Sequence, residues 1–155
     1  MPQFKALELA ITQATLQRDA RARQQAQALR TLAFAHGQLE QLQSYAGDTD
    51  ARWIGAHSTG RSAELIRHHY LFVERLQNAV QMQQGVIANL ERQREAAHQA
   101  LLQAEYRLAG FRQVLQTRRL AQQRSQQRRE QRETDEFAAM RHARGRAIQT
   151  MEETQ

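Results

Sequence analysis

From Phe4 onward the chain advances in alternating steps of three and four residues. Phe4, Leu7, Ile11 and Ala14 are followed by Arg18, Arg21 and Gln25, and then by Ala28, Leu32, Ala35, Leu39, Leu42 and Ala46. Such spacing keeps one narrow stripe facing a partner helix, the a/d seam of a coiled coil. It predicts a first helix over about 3–46, opened by Pro2, which a helix start tolerates. The middle of the stripe, Arg18 to Gln25, is polar, so this helix depends on a partner. GDTDARWIGAHSTG, Gly47 to Gly60, then brings three glycines, two aspartates and no period, and predicts a connection over about 47–61. Within it, Trp53 and Ile54 either fold back over the hairpin end or stand exposed as an anchor for another protein.

Ser62 is placed to cap a second helix over about 62–150. Its stripe is more apolar than the first: Ile66, His69, Val73, Leu76, Val80, Gln83, Ile87, Leu90, Arg94, Ala97, Leu101, Ala104, Leu108, Phe111 and Leu115. Two seams joined by one connection predict an all-α fold, a long antiparallel two-helix coiled coil in a single domain over 1–155. Reversal about residue 54 sets Ala46 near Ser62, Phe4 near Ala104 and Gln25 level with Gln83. The second helix then overhangs the first by some 40 residues, roughly 60 Å at 1.5 Å per residue. A second apolar line runs beside the second seam at heptad spacing: Leu65, Phe72, Ala79 and Val86. Either it widens the core, or with Leu76 and Gln83 it forms a docking face.

The overhang is unlike the rest of the chain. In RRLAQQRSQQRREQRETDEF no apolar residue separates Ala121 from Phe137, yet nearly every residue favours a helix. Between Arg107 and Arg132 eight arginines stand against Glu130 alone, a local charge of +7 in a chain whose total is +6. One segment therefore carries the whole imbalance. At 100° per residue, Arg107, Arg118, Arg124, Arg128, Arg129 and Arg132 share an arc of roughly 140°. This basic arm, 107–132, is a solvated face, a contact for an acidic protein, or a phosphate-binding strip. Nucleic acid is the least favoured, because no aromatic side chain is interleaved for base stacking.

Composition narrows the function further. Mean hydropathy is −0.77, aromatic residues make up 6%, and cysteine is absent, so disulfides and thiolate metal sites are excluded. His68 and His69 are adjacent and point about 100° apart on a helix, the wrong spacing for a shared metal. No phosphate loop, nucleophile elbow or carboxylate cluster is present, so the reading is non-enzymatic, with no catalytic residue, cofactor, metal or small-molecule ligand. No apolar run is long enough to span a membrane, and the N-terminus reads as mature sequence with no leader.

Three segments, AHGQLEQLQSYAGD, HHYLFVERLQNAVQMQQ and REQRETDEFAAMRHAR, make the chain resemble the FliJ family, the small coiled-coil component of flagellar type III export. The third is the most specific, with its Asp-Glu pair and Phe after a Glu-Gln-basic run. The resemblance departs at Thr49, where the family often has Tyr, and at Gln83, a position variable in kind. It implies an antiparallel hairpin similar to the stalk subunit of rotary ATPases, a cytoplasmic protein peripheral to the inner membrane. The implied partners are the hexameric export ATPase, the cytoplasmic domain of the export-gate membrane protein, and export chaperones. The family's gate contact falls, by position, on Phe72, Leu76, Ala79 and Gln83, the same strip that spacing alone marks. Arg118, Arg124, Arg128 and Arg132 are the expected ATPase-ring contacts. A general secretion chaperone or adaptor, or the injectisome counterpart, is the alternative.

Overall fold

Ser62 begins the second helix as its position suggests. Its hydroxyl oxygen accepts a hydrogen bond from the Leu65 N–H at 3.2 Å, and its carbonyl accepts one from the Ile66 N–H at 3.2 Å. A donor left open by the first turn is thereby satisfied. In this computed structural model, which describes residues 2–55 and 62–155, helix α1 spans Pro2–Gly55 and helix α2 spans Ala63–Glu153. No strand occurs among the described residues. The protein is an all-α hairpin. Its contacts fall into two compact units. One unit is Gln13–Leu108; the other joins Met1–Thr12 to Ala109–Gln155.

In the Gln13–Leu108 unit the two helices run antiparallel. Trp53 meets His69, Tyr45 meets Phe72, Ala35 meets Gln83, His36 meets Glu91, and Gln25 meets His98. From Trp53–His69 to Gln25–His98 the α1 number falls by 28 while its partner's rises by 29. The seam positions of this unit are buried or half-buried except Arg21 and Ile66, and Ala14, Ala35, Ile87 and Leu108 are its buried apolar residues. With so little fully buried, the fold rests on a long narrow contact, as its composition requires.

Two expectations are corrected here. Gly47 does not open the connection: α1 continues through nine further residues to Gly55. The rest of the expected connection, 56–61, lies outside the described residues. The period in fact survives the glycines, since Ala46, Thr49 and Trp53 extend the three-four spacing and all are half-buried. A side chain at Gly47 would meet open space, so nothing there demands a turn. The Trp53 ring lies flat on His69, with centroids 3.7 Å apart and planes 2° from parallel, which helps hold this last turn in place. A later reversal shifts the register. Gln25 therefore bonds His98 Nδ1 at 2.9 Å, not Gln83, whose amide nitrogen instead donates to the Ala35 carbonyl at 2.9 Å and to Gln38 Oε1 at 3.2 Å. Cysteines at 25 and 98 are expected to couple efficiently through a short bis-maleimide. A 25/83 pair, about 22 Å out of level at 1.5 Å per residue, should not. Equal yields from the two pairs would refute this register.

In the other unit, Phe4 and Leu115 are buried, and Arg119 Nη2 donates to Glu8 Oε1 at 2.9 Å. Both side chains of that pair are about half exposed, so it adds less than about 1 kcal/mol. It nevertheless shows that the first turns of α1 lie beside α2 as far as Arg119. The expectation that Phe4 lies near Ala104 is corrected by the same register shift. Gln122 is the last half-buried residue, and every residue from 123 to 155 is exposed. The uncovered part of α2 is therefore about 31 residues, roughly 46 Å at 1.5 Å per residue. Gly145 does not interrupt it.

Candidate interaction surfaces

Phe72, Leu76, Ala79 and Gln83 follow one another at steps of four, three and four on α2, so they form one continuous strip. The structure gives them different roles. Leu76 and Gln83 are half-buried in the seam and Ala79 is half-buried beside it, whereas Phe72 is 39% exposed. The second apolar line is not a widened core throughout, because Leu65 (51%) and Val86 (48%) also remain open to solvent. Ala79 alone of the four is half-buried.

What the seam spacing missed is the contribution of α1. Tyr45 stands off the seam, yet its ring meets Phe72 edge to face, with centroids 6.0 Å apart and planes at 78°. Gln38 receives the second hydrogen bond from Gln83. The strip is thus a two-helix face, with Phe72 braced by Tyr45 and Gln83 by Ala35 and Gln38. Tyr45 lies outside the three-four stripe, so only the correct register places it against Phe72. Leu76 also reaches the other side of the seam, where it lines a cleft of about 360 Å³ with Val73, Val80 and Asp50.

From Ala109 onward the basic arm belongs to the unit formed by Met1–Thr12 and Ala109–Gln155, whereas its first arginine, Arg107, belongs to the Gln13–Leu108 unit. Arg118, Arg124, Arg128 and Arg132 are all exposed, and so is Arg119, which is engaged by Glu8. With no apolar face to bury, the helix is supported along its length by polar pairs one turn apart. Gln126 donates to Glu130 at 3.3 Å and Gln131 to Asp135 at 3.2 Å. Each such pair contributes only about 0.2–0.5 kcal/mol. Toward the C-terminus apolar side chains return, and Phe137, Met140, Ile148 and Met151 are all largely exposed, with the Arg141 guanidinium 5.9 Å from the Phe137 ring centre.

Among the described residues no three His, Asp or Glu side chains converge to hold a metal ion. His69 packs against Trp53, and no described helix is long and apolar enough to cross a membrane.

A family model described as "Flagellar FliJ protein" matches residues 4–147, nearly the whole chain. No curated protein and no solved structure matches it.

Proposed function

The chain belongs to the FliJ family and is a component of flagellar protein export, and from that premise we propose that it is the stalk that couples the export ATPase to the export gate. In this reading the Phe72, Leu76, Ala79 and Gln83 face, with Tyr45 and Gln38 beside it, docks on the cytoplasmic domain of the export-gate membrane protein. Arg118, Arg124, Arg128 and Arg132 meet an acidic lining in the hexameric ATPase ring. Export chaperones are further partners, recycled after they deliver their cargo, and the protein works in the cytoplasm at the inner face of the membrane.

The observation that carries the reading is the presence of two unlike exposed surfaces, one in each unit. One is an aromatic, apolar strip in the Gln13–Leu108 unit. The other is a cationic helix that buries nothing from residue 123 onward. A helix kept long and charged without a face to bury gains its ordering free energy from outside the chain. Long-range attraction to an acidic ring would supply it.

A secretion escort without ring contact has no reason to affect ATP turnover. The purified chain is therefore expected to raise hydrolysis by the export ATPase in the enzyme concentration range where hexamers are incompletely formed, by promoting ring assembly. The stimulation should vanish when residues 123–155 are removed. An ATPase rate indifferent to the chain across that range would favour the escort reading instead.

A further inference from the structure

We propose that the Gln13–Leu108 unit carries an additional docking groove, between Arg21 and Arg107, for an acidic helical segment of another protein. It shares no residue with the Phe72 strip or with Arg118, Arg124, Arg128 and Arg132, and does not depend on their assignment.

The starting point is Arg21. It occupies a seam position by spacing, yet it is the one seam residue of α1 that stands exposed. Its neighbour Arg18 is satisfied by Asp19, at 2.8 Å. Arg21, by contrast, donates only to the neutral carboxamide of Gln24, at 3.0 Å, and no carboxylate among the described residues pairs with it. A guanidinium presents five donors, so most of its capacity is directed elsewhere.

That direction is a groove of about 520 Å³, walled by Arg21 on α1 and Arg107 on α2. Its floor is alanine: Ala20, Ala100 and Ala104 are half-buried and too small to fill the space between the helices. Gln17, Gln24 and Gln103 complete the walls with exposed carboxamides, and no acidic residue lines the groove. Two cations therefore face a trough of the right kind for carboxylates, with amides able to bond neighbouring polar groups.

The spacing fits a helix. Gln25 is level with His98, so Arg21 is level with about residue 102 and Arg107 lies five residues further along. The two guanidinium groups are offset by roughly 7.5 Å along the axis at 1.5 Å per residue. Glutamates four residues apart on a ligand helix rise about 6 Å, well within the reach of arginine side chains. Arginine is also the side chain suited to gripping a carboxylate with two parallel bonds. A single-stranded nucleic acid fits less well, because no aromatic side chain lines the groove to stack on its bases.

The test uses the full chain and a fluorescein-labelled helical peptide bearing glutamates four residues apart, followed by fluorescence anisotropy at low salt. Wild type should bind this peptide, and its glutamine-for-glutamate twin should not. The double variant R21Q/R107Q is expected to bind about tenfold or more weakly, the loss of two charge-assisted contacts. The arm variant R124Q/R128Q/R132Q removes more charge and should bind within about twofold of wild type. Ala20→Leu keeps every charge but fills the floor, and should also weaken binding. The proposal is overturned if wild type ignores the peptide, if R21Q/R107Q binds unchanged, if the arm variant loses more than the groove variant, or if oligothymidylate displaces the peptide as effectively as the unlabelled peptide does.

Discussion

Phe72→Ala is expected to abolish capture of the export-gate cytoplasmic domain while leaving the hairpin helical. The phenylalanine ring is well placed for this: partly exposed, held edge to face by Tyr45, and flanked by the open apolar side chains Leu65 and Val86. A preoriented aromatic of this kind is the usual centre of an interface, and its truncation costs at least about 2 kcal/mol, or roughly 30-fold in affinity. The same substitution removes one aromatic pair from the fold, worth about 1 kcal/mol. Binding should therefore suffer far more than stability. Isothermal titration against the gate domain, with circular dichroism on the same samples, separates the two effects. Gate affinity within about threefold of wild type for a fully helical Phe72→Ala would remove this face from the interface. Leu76→Ala is a poorer probe, because Leu76 also packs in the seam, where leucine truncation costs about 2 kcal/mol or more when well buried.

Reversing the arm has the opposite profile. In R124E/R128E/R132E three positive charges become negative, a change of six, on side chains that are all exposed. The hairpin should melt as the wild type does, since these residues pack against nothing in α1. Ring binding should fall by about 100-fold at low ionic strength, and the gap should narrow as salt rises and the screening length shrinks to about 8 Å near physiological strength. That salt dependence matters as much as the loss. A triple variant that binds the ATPase like wild type at low salt shows the arm to be a solvated face.

Much of this arrangement is legible in the chain itself, for identifiable reasons. The three-four spacing from Phe4 to Ala46 and from Ile66 to Leu115 picks out positions that are all buried or half-buried except Arg21 and Ile66, because a two-helix contact buries that stripe first. The bare arm is legible for the converse reason: from Gln122 to Glu136 no apolar side chain exists to bury. Register is where sequence reasoning fails. Gly47, Asp48 and Asp50 carry strong local turn signals, and the weaker continuation through Ala46, Thr49 and Trp53 wins because Trp53 stacks on His69. Nine residues of extra helix then displace every cross-helix pair, so that Gln25 finds His98 and Gln83 finds Ala35. Tyr45 could be placed beside Phe72 only after that correction. Arg21 illustrates a different limit. Spacing counts it in the seam, whereas a charged group without a carboxylate partner is better hydrated at the surface, and the helix lets it point outward.

The most direct measurement of the coupling claim is a bridging experiment with three purified components: the tagged hexameric export ATPase, this chain, and the gate cytoplasmic domain. The gate domain should be retained on the ATPase only when the chain is present. Phe72→Ala should leave the chain on the ring without the gate domain, and R124E/R128E/R132E should leave the chain with the gate domain but off the ring. Retention of the gate domain without the chain, or loss of both contacts from either variant alone, would contradict a stalk with two independent ends of contact.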